Sequence, residues 1–225
     1  MNGAPGNHPE ENAENLTSFE QAGLAIVHSK FKDLSPAQKI AQIVSVVLSP
    51  STICPLAFIW FLVSYNAVNF WAWAAGGIYF YGLHPVILPA ILVATKKGDI
   101  YVTDRRQRFW PFISAIAGYC VFLGLVGAGF GWTNLLTRVI LGSTILSFVI
   151  LFVSLRWKIS IHATGNGVAI AGLGVLDPRT LWVTLPIQAF VLWARRELKA
   201  HTLLQLAAGT ILGFGVPLCV IYLIP

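Results

Sequence analysis

Residues 40–95 read IAQIVSVVLSPSTICPLAFIWFLVSYNAVNFWAWAAGGIYFYGLHPVILPAILVAT, a run without a single Lys, Arg, Asp or Glu. One bilayer crossing takes about 20 apolar residues, so the run is too long for one span. Tyr65-Asn66-Ala67-Val68-Asn69 supplies a polar turn that divides it. Two spans are predicted, at about 40–64 and 71–94, with Pro50 and Pro55 expected to kink the first. Outward from this run the pattern repeats. A polar loop, TKKGDIYVTDRRQRFW, precedes apolar runs at about 111–130 and 133–154. RWKISIHATGN then leads into short runs at about 162–176 and 180–194, and ARRELKAHT into a last run at about 200–224. Lipid offers backbone N–H and C=O groups no partners, so such segments must be helices.

Composition agrees. Of 225 residues, 56% are hydrophobic and only 11% charged, and mean hydropathy is +0.71. Soluble domains carry about 25% charged residues, so an ordinary water-soluble globular protein is excluded; about six or seven helices of about 20 residues fill the length, so no second, soluble catalytic domain is expected. The expected fold is all-α: a polytopic membrane helix bundle of about six to seven transmembrane helices, over residues 35–225. Residues 1–34 read as a polar, largely disordered tail with a possible interfacial helix starting near Thr17, where Thr17 and Glu20 have capping-box spacing. The tail lacks the basic start and apolar core of a signal peptide. Ser35-Pro36-Ala37-Gln38 reads as a further helix start. Cys54, Cys120 and Cys219 are far apart within apolar runs and read as core residues, not a disulfide framework or metal site.

The net charge of +6 is unevenly spread: residues 1–39 carry −2 and the remainder +8. With seven spans, the loops at 95–110, 155–161 and 195–200 are separated by two crossings each and share one side with the N-terminus. Thirteen cations lie there, against Arg138 and Arg179 opposite. The positive-inside rule puts that side in the cytoplasm. A bacterial cytoplasmic membrane is expected, and nucleic acid is not expected as a partner.

Outside the tail there are four carboxylates (Asp99, Asp104, Asp177, Glu197) and three histidines (His84, His162, His201). Carboxylate catalysis and carboxylate-rich metal sites are poorly supplied. Arg, Lys and imidazole gathered on one side suit an anion, and phosphate is the commonest one. His162 opens the fifth span, where backbone N–H groups near Ser160 make an anion site; a simple interfacial capping His is the alternative. His201 follows Arg195 by six residues, so the two share a face if 195–201 is helical; a positive-inside anchor is the alternative. Asp104–Arg108 also reads as an ordinary basic loop. His84 lies inside the second span.

Taken together, the three loops resemble the type 2 phosphatidic acid phosphatase superfamily over about residues 40–225. That family has a Lys with Arg-Pro seven residues on, then Pro-Ser-Gly-His, then Ser-Arg with His six residues later and Asp four after that. Here DIYVTDRRQRFWP resembles the first motif, with Arg108 as the counterpart of the arginine. KISIHATGN resembles the second through Ser160 and His162, and WARRELKAHTLLQLAAG the third through Arg195 and His201. The departures are Tyr101 for Lys, Phe109 for Pro, Ile159 and Ile161 for Pro and Gly, and Gln205 for Asp.

The resemblance implies an integral-membrane phosphatase acting on a lipid phosphate or isoprenoid pyrophosphate, without metal or other cofactor. His201 would be the nucleophile, forming a phosphohistidine, and His162 the proton donor. Arg108, Arg195, Lys158, Ser160 and Arg105 would bind phosphate, and Gln205 would orient His201. A neutral amide stabilises the imidazolium less than a carboxylate does. The alternative is a catalytically inactive member of the fold, acting as a lipid-binding or assembly subunit of a membrane complex. Membrane lipids and a membrane-protein partner or second copy of the chain are the other partners expected. A small transporter is a third reading, disfavoured because the spans lack paired intramembrane charges.

Overall fold

A computed structural model of the protein describes residues 21, 22, 26, 31–95 and 109–223. Ser35 caps α1 (Pro36–Val47) as its sequence predicts: its Oγ accepts from the Gln38 N–H at 3.2 Å, and Gln38 Oε1 accepts from the Ser35 N–H at 3.1 Å. α2 (Pro50–Ser64) follows after a bend of 43°. The bend has a local cause. Pro50 has no N–H, so the Val46 carbonyl lacks its helical donor. The Ser49 N–H turns to Val46 O at 3.3 Å, which releases the carbonyl of Ser45. The Thr52 N–H bonds Ser49 O at 2.9 Å, which releases that of Leu48. Pro55, also expected to kink the span, lies inside α2 without ending it. The backbone of Gly82 comes up against Pro55 and the Ser51 carbonyl there.

Asn66 and Asn69 turn the chain in left-handed conformations, at φ 48° and 56°, which Asn tolerates better than most residues. α3 (Phe70–Gly77), a π-helical stretch (Ile78–Leu83) and α4 (His84–Ala94) form one apolar rod. Tyr81 in the π-helical stretch shares a 2.8 Å hydrogen bond with Ser143. α5 (Phe109–Phe130) and α6 (Leu135–Arg156) follow, the second capped by Asn134. Then come α7 (Ile161–Leu176), α8 (Leu181–Glu197) and α9 (Leu203–Leu223).

Four of these rods, Phe70–Leu92, Phe109–Phe130, Leu135–Arg156 and Leu203–Leu223, are long and apolar enough to cross a membrane; the bent pair α1–α2 makes up to five. α7 is apolar but shorter. The chain is thus an all-helical membrane-type bundle, with no strand among the described residues. Its core gathers Phe58, Phe61, Leu62, Phe122, Leu136 and Ile140. Outside, Trp71, Trp182, Leu203, Ile211 and Tyr222 stand exposed, an arrangement suited to lipid rather than water.

α7 packs most extensively on α9. A Cβ on Gly209 would stand 2.9 Å from the Ser160 carbonyl oxygen, and one on Gly213 would collide with the Thr164 backbone. Those two glycines let the helices approach closely enough to bring the start of α7 beside α9. At the near end, Ala41 of α1 packs with Ala194 of α8 and with Leu198 just past its end, with Ile26 against them. Residues 1–20 and most of 23–30 lie outside the described residues, so the expected tail is seen only at a few positions; Leu34, at its end, is buried.

Candidate functional site

His201 is placed by how α8 ends. Lys199 takes a left-handed φ of 50°. The Ala200 N–H bonds Arg195 O at 3.1 Å and the Lys199 N–H bonds Arg196 O at 3.0 Å, the paired bonds of a Schellman motif. Residues 195–201 are therefore not one helix, as a shared face between Arg195 and His201 would need. The chain reverses at Lys199, a non-glycine in a glycine-favoured conformation, and His201 sits in the bend that follows.

Gln205 defines the His201 ring. Its Oε1 accepts from the Thr202 N–H at 3.1 Å, while Thr202 Oγ1 accepts from the Gln205 N–H at 3.3 Å. A backbone N–H can only donate, so the atom it meets must be the amide oxygen and not the nitrogen. The same oxygen lies 3.3 Å from His201 Nδ1. That nitrogen must therefore donate. In the neutral ring the proton is on Nδ1 and the lone pair on Nε2. His201 is 6% exposed and Gln205 8%, so the pair is held in a largely desolvated setting.

His162 is held the opposite way. Its Nε2 lies 3.1 Å from the Ser45 carbonyl oxygen, freed by the break before Pro50. A carbonyl only accepts, so Nε2 carries the proton here. One turn further along α7, Asn166 Nδ2 donates to the Leu48 carbonyl at 3.0 Å. His162 and Asn166, four apart on one helix face, thus cap two of the carbonyls that the α1–α2 break releases. Ser45 has a second role: its Oγ accepts from Arg195 Nη1 at 2.8 Å. Arg195 is 5% exposed and Ser45 2%.

Ser160 is fully buried and caps α7, its Oγ accepting from the Ala163 N–H at 3.3 Å. Its hydroxyl oxygen therefore serves its own helix. Lys158 stands partly buried in the preceding connection, within Trp157–Ser160. Gln188 Nε2 ties α8 to both neighbours, donating to Ala163 O at 3.2 Å and Thr210 Oγ1 at 2.9 Å. Arg105 and Arg108 lie outside the described residues. His84 belongs elsewhere: its Nε2 donates to Ser114 O at 2.8 Å, and its ring fills the notch at Gly118. Among the described residues, no group of three or more His, Cys, Asp or Glu could hold a metal ion.

The structure therefore joins two of the predicted residues through a third. Arg195 and His162 meet at Ser45, and His201 and Gln205 form a second pair. Ser45 and Asn166 escaped the sequence reading. The signal was present in Pro50, whose missing N–H implies orphaned carbonyls that some donor must satisfy. No family model matches the chain, and neither a curated protein nor a solved structure matches it.

Proposed function

We propose that the chain is an integral-membrane phosphatase for a lipid phosphate or isoprenoid pyrophosphate, working through a phosphohistidine on His201. The observation that carries this reading is the Gln205 oxygen, pinned by the Thr202 N–H and facing His201 Nδ1. It gives the ring the tautomer a nucleophile needs, with the lone pair on Nε2. In the first step that lone pair attacks phosphorus and the bond to the leaving oxygen breaks. His162 supplies the proton that the leaving oxygen takes up. Nε2–H stays with Ser45 O, so the transferred proton is a second one carried on Nδ1, and the ring enters this step as the imidazolium. Water then attacks the phosphohistidine, returning a proton to His162 and releasing phosphate. Arg195, with Lys158, Arg105, Arg108 and the N–H groups at the start of α7, supplies positive charge to the phosphate oxygens.

In this reading α7 and α8 are short crossings that complete seven spans. The three basic loops and the N-terminus then face the cytoplasm, in a bacterial cytoplasmic membrane. The phosphate head would lie at that face and the lipid tail between helices. A site at span ends is favoured because charge at mid-bilayer costs about 2.5–3.5 kcal/mol on insertion scales.

Two observations favour a second reading, a non-catalytic subunit that binds lipid or builds a membrane complex. The partner of His201 is a neutral amide, and His162 serves as a helix cap. Phosphate release by detergent-purified protein separates the two. The panel is phosphatidic acid, phosphatidylglycerol phosphate and isoprenyl pyrophosphates, with EDTA throughout and His201→Ala in parallel. Release that disappears in the variant supports the phosphatase. A folded protein that releases phosphate from none of them supports the subunit.

A further inference from the structure

The Arg195 guanidinium does not enter the site as a freely rotating side chain. It reaches from the last turn of α8 to the inner face of α1, and its Nη1 donates to Ser45 Oγ at 2.8 Å. A hydroxyl oxygen that accepts from a cation must aim a lone pair at it and its own proton elsewhere. The same residue's backbone carbonyl receives His162 Nε2. One residue of α1 thereby sets the place of two groups from α7 and α8. α1 itself is already docked on α8 through Ala41, Ala194 and, just past the end of α8, Leu198, so the hydroxyl is not needed to hold the helix there.

We propose that Ser45 is a positioning residue for anion binding: its hydroxyl fixes one arm of the Arg195 fork, so that the guanidinium meets a phosphate already oriented. The inference rests on the phosphatase reading and adds to it a residue outside all three motif-like loops. The physical basis is preorganisation. A long Arg side chain loses rotamer freedom when it binds an anion, and holding it beforehand removes part of that loss. The bond uses one of the five guanidinium N–H donors.

Ser45→Ala deletes the hydroxyl and leaves the backbone carbonyl that holds His162. Ser45→Thr keeps an oxygen at the same position. The readouts are the affinity of detergent-purified protein for inorganic phosphate, kcat and KM for the substrate found in the panel, and the unfolding midpoint. Ser45→Ala is expected to weaken phosphate binding and raise KM by about tenfold, the scale of one hydrogen bond to a charged group. Removing this acceptor of a buried guanidinium should also lower the midpoint by about 2–8 °C, and Ser45→Thr should recover most of both the affinity and the midpoint.

If wild-type protein turns over substrate and Ser45→Ala binds phosphate as well as wild type does, the inference falls and the phosphatase reading stands. Equal losses of affinity in both variants, with lowered midpoints, also overturn it, because the effect is then packing. If wild-type protein neither binds inorganic phosphate nor releases it from any substrate, the phosphatase reading fails and the inference with it.

Discussion

The two histidines at the starts of α7 and α9 present opposite nitrogens. His201 is oriented through Nδ1 by a side-chain oxygen four residues ahead in its own segment. His162 is oriented through Nε2 by a backbone carbonyl from a helix 117 positions away. The first arrangement leaves Nε2 with the lone pair, which suits attack. The second leaves Nδ1 for proton transfer and makes the ring part of the scaffold as well. A histidine's chemistry is thus set by whichever acceptor claims its proton, and the two acceptors here have different origins: one a local turn, the other a broken helix.

The widest separation between the two should appear when each ring is removed. His201→Ala should lower phosphate release by at least about 10³-fold, because the nucleophile is gone. His162→Ala should cost about 10²-fold, the scale of lost general acid catalysis, and should also lower the unfolding midpoint, because it leaves the Ser45 carbonyl without its donor. Equal rate losses with equal midpoints would erase the distinction. Next in size is the orienting oxygen. Gln205→Leu should slow turnover by about 10–100-fold, since nothing then selects the Nδ1–H tautomer. Gln205→Glu keeps the reach and adds a charge that stabilises the imidazolium, so it should turn over faster than wild type. A Glu variant slower than the Leu variant would argue against His201 as the attacking group.

The scaffold side of the comparison predicts smaller effects. Asn166→Leu should destabilise by about 1–2 kcal/mol through the orphaned Leu48 carbonyl, measured as the shift in unfolding midpoint in detergent, with kcat little changed. Smallest of all, Lys199→Gly should stabilise by about 1 kcal/mol by relieving the left-handed backbone before His201. A destabilised Lys199→Gly would mean that the lysine side chain contributes more than its backbone strain costs.

Much of the fold was legible because charge is so sparse. The predicted run at 111–130 is the helix Phe109–Phe130, and that at 133–154 is Leu135–Arg156. The Ser35 cap and the break at Pro50 follow from local rules that need no tertiary context. Pro55 lies inside α2, which runs on past it, with the Gly82 backbone close by. The end of α8 was hidden by Lys199: a glycine there would have announced the reversal, whereas a lysine reads as one more helical cation. His201 and Gln205 were legible as a pair four residues apart. Ser45 was not, because its partners lie 117 and 150 positions away and come to it only through the packing of α1 on α7 and α8.

The most direct test of the central claim is to catch the intermediate. Detergent-purified protein turning over its substrate is quenched in alkali, where phosphohistidine survives, and the modified peptide and ring nitrogen are identified by mass spectrometry and ³¹P NMR. The expected result is a phosphoryl group on Nε2 of His201, absent from His201→Ala and never found on His162. Phosphate release without any phosphohistidine, or a phosphoryl group on His162, would contradict the account.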